Sequence, residues 1–119
     1  MPTWRDYDDW SPNIDFSNMN NFLKLNNSIL VIRPHPSDST FKNVREYSNI
    51  YLSITNEWSD SYSELCGADC LISDYSSLIH EFIITKKPVL IYTPDYVQYT
   101  KNRKLMLDFD SHIPDRRIN

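Results

Sequence analysis

Short, uniformly apolar runs separated by polar, turn-forming stretches set the pattern of this chain. Ser28-Ile29-Leu30-Val31-Ile32 is rich in β-branched residues and shows no polar alternation, which is how a strand covered on both faces reads. Residues 49–54, 68–72 and 88–92 repeat that signature, and each is predicted to be a strand. Between them the period becomes helical. Leu78, Ile79, Phe82 and Ile83 form an apolar stripe at the i, i+1, i+4, i+5 spacing of a helix over 76–85. Tyr62, Leu65 and Cys66 mark a helix that starts at Asp60 or Ser61 and closes at Gly67, expected in the left-handed conformation usual after a helix end. Residues 95–103 read as a helix with Asp95 as N-cap, and Phe22, Leu23 and Leu25 as a short helix capped by Asp15 or Ser17 and stopped by Asn26-Asn27.

Strands alternating with helices imply an α/β fold with a parallel sheet and helices on its faces. The expected organisation is a single domain over 1–119: an N-terminal loop and short helix over 1–27, an α/β core over 28–104 and a C-terminal loop over 105–119. Ligands of such sheets bind outside the carboxyl ends of the strands. Arg33-Pro34-His35, Asp74-Tyr75-Ser76-Ser77 and Thr93-Pro94-Asp95 each follow a predicted strand and are expected along one edge.

Composition narrows the chemistry. The net charge of −4 provides no general attraction to nucleic acid, so no such partner is expected. No apolar run reaches membrane-spanning length and no signal-peptide pattern opens the chain, which makes cytoplasm the default compartment. The single glycine, Gly67, excludes both the G-x-G-x-x-G dinucleotide loop and the G-x-x-x-x-G-K-[ST] loop. Cys66 and Cys70 lack the further Cys or His pair of a zinc site and are read as reduced, buried thiols.

Ser76 and Ser77 open a helix directly after a strand, where hydroxyls and unpaired backbone N–H groups can surround an anion. Their plainer reading is helix capping. Glu81, one turn beyond Ser77 in an otherwise apolar stretch, is suited to accept hydrogen bonds from ribose hydroxyls, against the alternative of a solvated face residue. Arg33 and His35 flank a proline at a strand end. The guanidinium suits a two-pronged diphosphate contact and the imidazole a catalytic acid role toward a leaving phosphate; the alternative is an ordinary strand-to-loop junction. His80, on the helix with a core-facing position as one reading, and His112 carry weaker cases. Asp95, Tyr99 and Arg103 share one helical face, as an internally paired surface stripe also would.

Met1-Pro2-Thr3-Trp4-Arg5-Asp6, Arg33-Pro34-His35-Pro36, Ser73-Asp74-Tyr75-Ser76-Ser77 with Glu81-Phe82, Lys87-Pro88 and Tyr92-x-x-Asp95-x-x-x-Tyr99 together resemble, in order and spacing, the C-terminal domain of the CDP-glycerol glycerophosphotransferases, the teichoic-acid primases and polymerases. The resemblance implies a Rossmann-like C-terminal half of a GT-B fold that binds CDP-glycerol or CDP-ribitol. It implies transfer of polyol phosphate to a lipid-linked polyol-phosphate or saccharide acceptor, with release of CMP, by a protein peripheral at the inner face of the membrane. Arg33 and His35 match the family's Arg-x-His-Pro diphosphate contact, Ser76 and Ser77 its phosphate-binding serines, Glu81 its ribose-side acid, and Thr3 and Trp4 its Thr-Trp loop at the nucleotide. No cofactor is implied beyond the donor substrate, and a divalent metal is left open. There are departures. The family's proposed base, a histidine upstream, has no counterpart here; His80 replaces an aromatic or aliphatic residue; and its Pro-Gly-Pro appears only as Ile113-Pro114-Asp115. The expectation is a donor-binding half without its N-terminal acceptor domain. The alternatives are a non-catalytic remnant of the same fold or the donor domain of another nucleotide-sugar transferase.

Overall fold

In the computed structural model the chain divides into two compact units, Met1–Ser59 and Asp60–Asn119. The structure describes Thr3, Arg5, residues 12–35, Asp38 and residues 40–53 of the first, and residues 61–102 and 117–118 of the second.

Helix α1, Phe16–Leu25, opens the first unit. Asp15 caps it: its Oδ1 accepts from Asn18 N at 3.0 Å, supplying a partner that the first helical turn lacks. Asn26 and Asn27 end it, Asn26 Nδ2 donating to Phe22 O at 2.8 Å and Asn27 turning left-handed at φ 53°. Strand β1, Leu30–Ile32, pairs in parallel with β2, Ile50–Leu52, in the register Leu30↔Ile50. A 3₁₀ turn, Lys42–Glu46, lies between them in sequence. The core of this unit is Leu23, Ile32, Phe41, Val44 and Ile50. Phe16 meets Phe41 edge-on at 6.4 Å between ring centroids. Buried Asn20 is satisfied by accepting from Asn49 N at 3.0 Å, which ties α1 to the entry of β2.

The second unit holds α2 (Ser61–Gly67), β3 (Leu71–Ser73), α3 (Leu78–Ile83), β4 (Val89–Tyr92), α4 (Tyr96–Asn102) and β5 (Arg117–Ile118). Its three strands are all parallel in the order β3-β4-β5, with Ser73↔Ile91 and Ile91↔Arg117 in register. Leu65, Leu71, Ile79, Phe82, Ile91 and Tyr99 are buried. The amine of Lys87 donates to Cys66 O at 3.0 Å and Ala68 O at 2.6 Å, closing the carbonyl end of α2.

The α/β class and parallel pairing agree with the sequence reading, but the strands form two small sheets in separate units. Of the three segments expected along one edge, those after β3 and β4 follow strands of the same sheet, and Arg33-Pro34-His35 follows β1 of the other. Four local expectations are corrected. Arg117–Ile118 forms a strand inside the segment read as a C-terminal loop. Gly67 lies within α2 and has no positive φ; among the described residues the left-handed positions are Asn27 and Lys86, at φ 53° and 59°. Cys66 and Cys70 are free thiols but exposed, Cys66 on α2 beside buried Leu65 and Cys70 in the link between α2 and β3. His80 is exposed too, since Ile79 and Phe82 take the core side of α3.

Candidate functional site

The site starts from how β3 gives way to α3. Leu71 and Ser73 point inward, and the chain then turns at Asp74, whose side chain is only 3% exposed. Asp74 Oδ1 accepts from Tyr75 N at 2.7 Å, a charge-assisted bond that fixes the start of the turn. At the other end Ser76 Oγ accepts from Leu78 N at 3.3 Å. Ser76 therefore performs the capping task directly, while Ser77 is exposed at the helix entry and makes no side-chain cap bond. The hydroxyl of Ser76 keeps its proton for donation while it accepts, so capping and anion binding are compatible.

Glu81 lies one turn along α3 from Ser77. Its side chain is half-buried, and Oε2 is shut off from solvent with no hydrogen-bond partner. Such an oxygen is costly to leave unsatisfied. Thr93, directly after β4, carries the other such oxygen among the described residues: Thr93 is 2% exposed and its Oγ1 has no partner. Tyr75 and Thr93 each follow the last strand pair, Ser73↔Ile91, by two residues, so both stand past the carboxyl ends of their strands.

Three of the predicted residues, Ser76, Ser77 and Glu81, thus gather at the β3–α3 junction of the second unit. Thr3, Arg33 and His35 belong to the first unit. Arg33 is half-buried after β1, and His35 is exposed, its carbonyl accepting from Asp38 N at 2.8 Å. Thr3 accepts through its carbonyl from Nη1 of buried Arg5. Trp4 lies outside the described residues. Asp74 and Thr93 were given no role in the sequence reading; their signal was a polar side chain immediately after an apolar strand run. Among the described residues no cluster of three His, Cys, Asp or Glu side chains is placed to hold a metal ion, and no helix is long and apolar enough to cross a membrane.

Comparison with known proteins carries this geometry to a family. Residues 1–119 match the family model described as CDP-Glycerol:Poly(glycerophosphate) glycerophosphotransferase. The chain is 34% identical over 116 residues to the teichoic acid glycerol-phosphate primase of Bacillus subtilis, covering 97% of this chain and 30% of that protein. It is 31% identical over 121 residues to the teichoic acid poly(glycerol phosphate) polymerase of Bacillus spizizenii, covering 95% of this chain and 30% of that one. Against the teichoic acid ribitol-phosphate polymerase TarL of Staphylococcus aureus, identity is 29% over 105 residues, 88% of this chain and 19% of TarL. The chain therefore spans less than a third of the length of these relatives. With its β3–α3 serines and acid in the order that first suggested the resemblance, the chain belongs to the CDP-glycerol:poly(glycerophosphate) glycerophosphotransferase family.

Proposed function

We propose that this chain binds the CDP-activated polyol, CDP-glycerol or CDP-ribitol, for transfer of polyol phosphate to a lipid-linked teichoic-acid or capsular acceptor. The observation that carries the reading is the β3–α3 junction itself: two serine hydroxyls at a helix entry, with the partnerless Oε2 of Glu81 one turn beyond. The hydroxyls and the N–H groups of the turn are suited to phosphate oxygens, and the carboxylate to ribose hydroxyls, which donate to it. The resemblance of the Arg33-Pro34-His35 and Thr3-Trp4 motifs supports a guanidinium role toward a diphosphate for Arg33 and a nucleotide-loop role for Thr3 and Trp4.

In the reaction an acceptor hydroxyl oxygen attacks the β-phosphorus of the donor, and the bond from that phosphorus to the bridging oxygen of CMP breaks. CMP leaves with the bond's electron pair, and a proton from His35 offsets the charge on its phosphate. The proton of the attacking hydroxyl passes to a general base. Under this reading the transfer takes place at the inner face of the cell membrane, where a lipid-linked acceptor is held.

Calorimetric titration of the folded protein with CDP-glycerol, CDP-ribitol and CMP tests the reading. Heat from one or both CDP-polyols is expected, and the Ser76→Ala, Ser77→Ala double variant should lose it for about 1 kcal/mol of lost capping stability. No heat from any of the three nucleotides overturns the proposal.

A further inference from the structure

Asp95 and Tyr99 share a helical face, and the donor reading gives neither a task. The structure makes them neighbours of the phosphate turn. Tyr99 is 6% exposed rather than part of a surface stripe, and its ring stacks on Tyr75 with centroids 3.7 Å apart and planes 10° from parallel. The hydroxyl of Tyr75 donates to Asp95 Oδ1 at 3.3 Å. Asp95 O in turn accepts from Tyr99 N at 2.8 Å, which sets the carboxylate and the ring in the same turn at the start of α4. Tyr75 is thereby fastened at both its face and its tip to the segment that follows β4. Its own backbone lies between the Asp74 bond and the Ser76 bond that fix the two ends of the turn.

We propose that Asp95 and Tyr99 are positioning residues that clasp Tyr75 and so hold the Asp74–Ser77 turn in the shape that receives a nucleoside diphosphate; this rests on the donor reading above. A stacked ring fixes the plane of Tyr75 and the hydroxyl bond fixes its rotation within that plane. With both in place, the N–H groups of Ser76 and Ser77 keep their direction before ligand arrives, and the ordering cost of binding falls. Donor affinity is then set from α4 by side chains that do not touch the donor.

The test is a double-variant cycle, Tyr75→Phe with Asp95→Ala, read in the full chain by amide hydrogen exchange and by calorimetry with CDP-glycerol. Each single variant is expected to speed exchange at Tyr75–Leu78 without changing β3 and β4. Each should also weaken CDP-glycerol binding about fivefold, the worth of one hydrogen bond, and the double variant should be no worse than either. Asp95→Asn keeps an acceptor and should bind as wild type, whereas Tyr99→Leu, which removes the stacked ring, should not. Unchanged exchange in the turn, unchanged affinity, or effects that multiply independently overturn the clasp. If wild type takes up no CDP-polyol, the donor reading fails, and the exchange result still decides whether the turn is held from α4.

Discussion

Two side chains show how single atoms divide between stability and work. Glu81 keeps a carboxylate oxygen out of water without a partner, which penalises the folded state. Glu81→Gln removes the charge at nearly constant shape. The expected outcome is a melting temperature equal to or above wild type, together with a loss of about 2 kcal/mol in CDP-glycerol affinity, as for a hydrogen bond to a charged group. Calorimetry and thermal melting on one preparation check both directions. Cys70 is exposed over much of its surface, yet what burial it has desolvates the thiolate and pushes the thiol pKa up. Its alkylation in a Cys66→Ser background should therefore rise with pH at a midpoint above that of a small free thiol, measured by iodoacetamide labelling against pH. The sign for folding follows. While both states are protonated the thiol is neutral to stability, and as pH climbs past the unfolded value the unfolded chain ionises first and stability falls.

At the scale of elements, capping decides where α1 begins. Asp15→Ala removes the bond to Asn18 N and should cost about 1 kcal/mol in denaturant unfolding, with Asp15→Asn retaining most of it. Lys86 occupies the left-handed region just after α3, so Lys86→Gly is expected to stabilise slightly or leave the midpoint unchanged, unlike a glycine placed inside α3. The strands were legible because Leu30–Ile32, Ile50–Leu52, Leu71–Ser73 and Val89–Tyr92 each fall within or at the end of an apolar run. Arg117–Ile118 was not, since two residues following Arg116 carry no period and are placed by pairing with β4. The helix read over 76–85 is six residues long because Ser76 and Ser77 serve as its entry and the chain unwinds after Ile83. The exposure of Cys66 and Cys70 was not legible, because residue type reports how often a side chain is buried in general, not where a given position on α2 or in the link before β3 faces.

For the molecule as a whole, each of the two units builds its own parallel pairs, and the predicted site residues divide between them. The order of the motifs along the chain was readable. Their grouping in space was not, because alternating strands and helices do not state which strands pair. Lys86 and Lys87 stand side by side in sequence, but only the second has its amine pinned between the carbonyls of Cys66 and Ala68. An acylating reagent should thus modify Lys86 quickly and Lys87 slowly, and once Lys87 is acetylated the end of α2 should loosen. This adjacent pair is a built-in reporter: mass spectrometry of one peptide reads the integrity of the second unit against its own internal control.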